Sequence, residues 1–448
     1  MFALASAAQG QALPESEPEA PLEEPAPPPS DLRELQVLGM EADFIEQHLF
    51  PFRSPYAGAS SLPAHGDTEL TETYVFTVGS RLAENLHLYA SLVEGRGSGV
   101  GDGDGLGAPT NGDLVRVGAA KLGADPFLAT AYLRYIVPYG EETEHVERDE
   151  DDLPGWLSTH RVEFKLGKMQ IADEIDKNRY ANSTHEQFMN WALINNTAWD
   201  YVADARDSTY GLLGAWITPK LEVRLGLFQM VTEAEGHIWD NDLTRAYSEN
   251  LELVWRAEPD GLAVRLLAYQ NNGRMGDYAS ALATAAKTGS TPDIVADDRP
   301  GRRKFGYGLN LELPLGANGN TGLFARLGWN DGATESFMFA EADRAASLGF
   351  QFCGCHWGRS GDRLGIGIAA NGLSDVHRNY LAAGGYGFIV GDGRLNYGIE
   401  TVAELYYRIQ FGRHVQVSPD YQYFVNPGYN KDRGPAQVIG VRLRVYAM

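Results

Sequence analysis

The chain has 448 residues, 44% of them hydrophobic and 11% aromatic, with 37 Lys and Arg against 60 Asp and Glu and a net charge of −23. Nucleic-acid binding needs a basic footprint, so this balance excludes that partner class. No run of about 18 apolar residues occurs, which excludes a spanning helix, but a barrel strand needs only about 10 alternating residues.

The chain opens "MFALASAAQG", where Ala5-Ser6-Ala7 has the form of a signal-peptidase site. A basic n-region and a full apolar stretch are missing, so the segment reads as a leader remnant, with a small-residue tail as the alternative. Residues 14–30, "PESEPEAPLEEPAPPPS", are acidic and Pro-rich. They cannot bury a core and are expected to be disordered or polyproline-like. Residues 1–30 therefore stand apart from 36–448, which read as one domain.

From residue 36 the sequence alternates by twos. "RVEFKLGK" opposes Arg161, Glu163 and Lys165 to Val162, Phe164 and Leu166. "LEVRLGLF" opposes Glu222 and Arg224 to Leu221, Val223 and Leu225, and Arg134, Arg265 and Arg326 fall on the same polar side of their segments. "ETVAELYYRIQF" puts Glu400, Glu404 and Arg408 on one face and Ala403, Leu405 and Ile409 on the other. Successive strand side chains point to opposite faces, so each such segment predicts a two-faced strand. About 16 of them are expected, starting near 36, 70, 86, 126, 159, 209, 221, 247, 261, 304, 321, 345, 362, 398, 414 and 436. Short turns such as 83–85, 219–220 and 412–413 alternate with long connections such as 97–125, 172–208 and 372–397. The acidic stretch 138–158 breaks this rule, because strand parity puts it on the short-turn side.

Charges recur on one face of nearly every strand and cannot all reach bulk water around a single core. A closed barrel uses both faces, with apolar groups on lipid and charges on a wet lumen, and closure satisfies every backbone donor. The expected fold is all-β: a transmembrane antiparallel up-and-down β-barrel of about 16 strands, with short helices in inward-folded loops. It would sit in outer-membrane lipid. The remaining alternatives are a soluble β-protein with salt-bridged strand faces, a barrel enzyme, and an adhesive or structural β-protein. No G-x-S-x-G occurs, and no enzyme activity is expected.

The connection 172–208 is the candidate constriction. "HEQFMNWALI" (185–194) is expected to form a short helix carrying Asn190 and Trp191. Asn195, Trp199, Asp200, Asp204 and Arg206 follow it. Trp191 and Trp199 either pack the loop to the wall or stack on solute. Arg134, Arg161, Arg224, Arg265, Arg326 and Arg408 are pore-lining candidates, alternatively pairing with Glu163, Glu222, Glu312 and Glu404 across the lumen. Arg378, in the connection 372–397, is a further candidate. "DGDGLGAPTNGD" puts Asp102, Asp104 and Asp113 at calcium-loop-like offsets, but lacks the closing Glu, and reads as a surface glycine-rich loop. "CGCHW" (353–357) holds both cysteines and reads as a strand end. No metal or cofactor is expected.

Several stretches also carry a resemblance: "FPFRSPYAGASSL" (50–62), "NRYANSTHEQFMNWALINNTAWDYVADARDSTYG" (178–211), "HRNYLAAGGYGFIVGDGRLNYGIE" (377–400) and "SPDYQYFVNPGYNKDRGP" (418–435). In this order they resemble the carbohydrate-selective porins of the OprB type, from about 40 to the C-terminus. The resemblance implies a 16-stranded outer-membrane channel for small neutral sugars, narrowed by an inward loop. It leaves open whether the chain is a monomer or a homo-oligomer. The chain departs from the pattern in its cysteine pair and in ending "VYAM".

Overall fold

The computed structural model describes residues 33–113, 122–149, 152–316 and 319–447. The leader and the Pro-rich stretch lie outside the described residues. The strands are β1 (Leu35–Leu49), β2 (Asp67–Ala83), β3 (Leu86–Arg96), β4 (Phe127–Pro138), β5 (Thr143–Val146), β6 (Gly155–Ser158), β7 (Arg161–Met169), β8 (Thr209–Ile217) and β9 (Leu221–Gln229). There follow β10 (Tyr247–Arg256), β11 (Ala263–Met275), β12 (Arg299–Pro314), β13 (Gly322–Asn330), β14 (Arg344–Cys353), β15 (Arg363–Gly372), β16 (Glu400–Phe411), β17 (Val415–Val425) and β18 (Ala436–Ala447).

Sixteen of these strands close into one antiparallel barrel. Sequence neighbours pair around it except that β4 meets β7 across the intervening β5 and β6, and β1 meets β18 in register from Met40↔Ala447 to Leu49↔Val438. No free edge is left, as lipid requires. Alternation fixes the faces. In β16, Leu405 is 46% exposed on the outside while Glu404 is 2% exposed on the inside. Leu225, Leu327, Ile368 and Val441 likewise point outward.

Each expected strand start lies within five residues of an observed one. The stretch 138–158 forms the small hairpin β5–β6 on the short-turn rim, separate from the barrel ladder. The α-helices among the described residues, α1 (Trp191–Ile194), α2 (Tyr278–Thr288) and α3 (Asp375–Ala382), all lie in long loops. The helix expected over 185–194 is only its last turn. Asn190 caps it by accepting from the Ala192 amide at 3.0 Å, and residues before the cap are held instead by wall contacts described below. Cys353 ends β14 and is joined to Cys355 by a disulfide across Gly354.

Candidate functional site: the lumen

Long loops enter the barrel; two carry the stretches picked out above, and a third, 331–343, meets them through Phe339 and through the Phe337 and Met338 amides, which donate to Asp200. The larger, 170–208, is bolted to the inner face of the wall by charged groups. Arg326 on β13 is 2% exposed. It donates to Asp176 Oδ2 at 2.7 Å and to the carbonyls of Asp176, Ala181 and Leu193 at 3.0, 2.8 and 3.1 Å. Glu404 accepts from the Met189 and Asn190 amides at 2.6 and 3.0 Å. Asn190 in turn donates to Gln422 at 3.0 Å. Trp199 donates to Asn250 at 2.9 Å, and Asp200 pairs with Lys304 at 3.2 Å. Backbone groups of the loop, which have no helix or sheet partner of their own, are satisfied by wall side chains.

The wall is thinned to receive the loop. A Cβ on Gly367 of β15 would stand 2.9 Å from Leu193 and 3.0 Å from Phe188. One on Gly308 of β12 would stand 2.7 Å from Asn196. These glycines are needed for close approach of a packed side chain.

The described part of the smaller loop, 97–113, corrects the expectation of a surface glycine-rich loop over 102–113. Gly103, Gly105, Leu106, Gly107, Thr110 and Asn111 are buried. Gly105, at φ +86°, packs where any Cβ would strike the Leu62 backbone. Gln47 and Gln422 donate to the Thr110 carbonyl at 3.0 and 2.8 Å. Gly112 donates to Thr184 of the larger loop at 3.1 Å, so the two loops interlock.

Most of the inward arginines are spent on carboxylates. Arg134 forks onto Glu163 at 2.7 Å, and Arg161 reaches the same Glu163 at 2.6 Å. Arg224 pairs with Glu222 at 2.7 Å, Arg265 with Glu312 at 3.1 Å and Arg408 with Glu186 at 2.9 Å. Asp204 stands 3.7 Å from Lys168. Arg378 lies outside the lumen core on α3, beside Asp375 at 2.6 Å and over the Tyr397 ring at 5.3 Å.

The open spaces include a cavity of about 340 Å³ between the two loops and the wall of β2, β3 and β4, and another of about 350 Å³ beside Glu186, Gln351, Arg363 and Arg408. Of the sequence candidates, Trp191, Asn195 and Arg206 line the first cavity and Arg408 the second; most of the others hold the loops or the wall. Trp191 lies against Phe339 with ring centroids 5.3 Å apart, and Arg206 sits over Phe127 at 4.7 Å. Thr73, Ser91, Asn111, Asp113, Thr130, Asp173, His185, Asp207 and Phe339 also line the first cavity. Only strand parity could have singled out Thr73, Ser91 and Thr130, and their hydroxyls carry no charge to draw attention.

Six ionisable groups line the first cavity: Asp113, Asp173, His185, Arg206, Asp207 and Glu235. Burial would push the His185 imidazole down, but Asp113 at 2.7 Å and Glu41 at 2.5 Å hold it well above the ordinary histidine range. Glu41, Asp43 and His185 gather closely enough to hold a cation. The imidazolium and the Arg444 guanidinium, 2.5 Å from Glu41, already supply the positive charge there. Burial pushes Asp207 up to about 7, although it accepts from the Tyr201 hydroxyl at 2.5 Å.

A model of the "Carbohydrate-selective porin, OprB family" matches residues 153–446. Porin AaxA of Chlamydia felis (strain Fe/C-56) is 26% identical over 274 residues, covering 60% of this chain and 51% of its own. The chain thus spans about half the length of that curated relative. Among solved structures, Pseudomonas putida OprB at high pH superposes with a TM-score of 0.66 at 16% identity, covering 92% of this chain and 94% of that one. The outer-membrane channel DcaP of Acinetobacter baumannii gives 0.50 at 8% identity, covering 93% and 98%. At these identities the two structures speak for the barrel fold.

Proposed function

Because the chain belongs to the OprB family of carbohydrate-selective porins, integral proteins of the outer membrane, we propose that it is a diffusion channel for small neutral sugars. Family and fold point to a channel rather than an enzyme. The observation that carries the sugar reading is the 340 Å³ cavity, where aromatic faces and uncharged hydrogen-bonding groups meet.

A sugar has apolar ring faces and hydroxyls that both donate and accept. Trp191 and Phe339 offer the first a surface, while Thr73, Ser91, Asn111 and Asn195 offer the second partners. Each hydrogen bond exchanged with water is worth about 1 kcal/mol, so binding is weak enough for release, as permeation requires. A neutral solute carries no net charge for the lumen's field to act on. An anion meets Asp113, Asp173 and Asp207 at the cavity wall. The proposed contact residues are therefore Trp191, Asn195 and Arg206. Arg326, Glu404, Asn190, Trp199 and Asp200 act as loop anchors. Short turns of such barrels face the periplasm, so solute enters past the long loops.

Liposome swelling tests this reading. A neutral hexose is expected to enter faster than its carboxylate analogue of the same size. Equal entry of the two, or no swelling with either, would defeat it.

A further inference from the structure

One limb of the acidic excursion 139–160 turns into the barrel from the short-turn rim. Leu153 is 3% exposed and belongs to the apolar cluster that includes Leu38, Tyr89 and Tyr132. Its amide donates to the Tyr89 hydroxyl at 3.3 Å. Arg134 Nη1 donates to Asp152 at 2.5 Å, and Arg81 donates to the Pro154 carbonyl. Gly79 makes room for this: a Cβ there would stand 2.9 Å from Leu38 and 3.2 Å from Leu153.

Register puts that limb in line with the cavity. Across β2, β3 and β4 the inward residues form rows: Thr77–Ser91–Thr130, then Gly79–Tyr89–Tyr132, then Arg81–His87–Arg134. Ser91 and Thr130 line the cavity. The next row toward the short-turn rim carries Tyr89 and Tyr132, whose rings stack with centroids 5.2 Å apart. Leu153 packs on this row, and Asp152 and Pro154 are tied to the one after it. Elsewhere in the lumen, the loop 170–208 is anchored on Asn250, Arg326, Glu404 and Gln422, across β10, β13, β16 and β17. The cavity wall of β2–β4 therefore continues, one row beyond Ser91 and Thr130, onto the buried Tyr89, Tyr132 and Leu153.

We propose that Asp152-Leu153-Pro154 forms a second constriction, on the exit side of the cavity, and that a permeating sugar passes between Leu153 and the Tyr89–Tyr132 pair. Leu153 is the size-determining residue. Arg134 and Arg81 are positioning residues that hold the limb inside the mouth. The stacked tyrosines give a sugar ring a second apolar face after it leaves Trp191. This inference rests on the channel reading above.

Single-channel conductance in potassium chloride, read before any sugar is added, tests it. Leu153→Gly is expected to raise conductance about two-fold and to increase trisaccharide entry relative to monosaccharide in swelling. Leu153→Trp should lower conductance. Replacing 142–157 by a two-residue turn is the second opening variant, and it leaves Glu163 on Arg134. Wild-type conductance and an unchanged size limit in all three folded variants would overturn the exit constriction while leaving the channel intact. A wild-type barrel that passes no current would overturn the channel reading itself.

Discussion

Arg326 is buried on the inner wall and spends its guanidinium on four loop acceptors. Removing one partner of a buried charged network strands the other, which costs about 3–5 kcal/mol. Arg326→Ala is accordingly expected to lower the denaturation midpoint of the detergent-folded barrel and to expose the 170–208 loop to protease. Lysine at this position restores little, because it lacks the planar fork that reaches several acceptors at once. The parity of Arg326 was readable from "GLFARLGW"; its partners were not. Asp176 lies 150 residues away in sequence, and nothing local in a strand says which loop will lie over it. The outward residues obey simpler physics. Leu405→Arg places a charge in lipid near mid-strand and should cost about 2–4 kcal/mol. Ser91→Arg, facing the wet cavity, should cost far less. Equal losses in a urea titration would contradict the assigned faces.

At the scale of elements, the strands were legible because a period of two survives 9–17 residues and the turns are short. The loops were less so. The stretch 185–190 has helical composition, yet Glu404, Gln422 and Arg442 take its backbone groups and its Asn190 side chain for the wall. The glycine-rich segment around Gly105 looks like a surface loop in isolation. Its glycines serve burial, letting backbone pass close to Leu62. The excursion 139–160 could be placed on the correct rim by parity, but its inward limb depends on Leu153 meeting residues from three separate strands. Loop packing also carries a pH signature. His377 on α3 is buried between Asp343 at 3.0 Å and Glu341 at 3.5 Å. Burial would push its imidazole down, but the two carboxylates carry it up to about 9. A group whose folded pKa is raised contributes stability that is fully present below its unfolded pKa, near 6.5, and lost as pH rises through the folded one. The melting temperature is therefore expected to fall between pH 7 and pH 10, and His377→Gln should flatten that slope. A wild-type melting temperature constant over this range would contradict the clamp.

The described residues form a barrel whose lumen holds an anchored loop, a cavity beside β2, β3 and β4 and another beside Gln351, Arg363 and Arg408. The net charge of −23 is consistent with the acidic residues at the cavity wall and on the short-turn rim, so the field inside repels anions while a neutral polyol is steered only by contact. The cavity beside β2, β3 and β4 is expected to lie on the conducting path, with a neutral sugar occupying it in passing. Single-channel current across a planar bilayer, recorded while a neutral hexose is titrated in, tests that most directly. The account predicts discrete conducting steps whose amplitude falls saturably with hexose, with the block weakened in Trp191→Ala. Steps that ignore hexose at every concentration would contradict it.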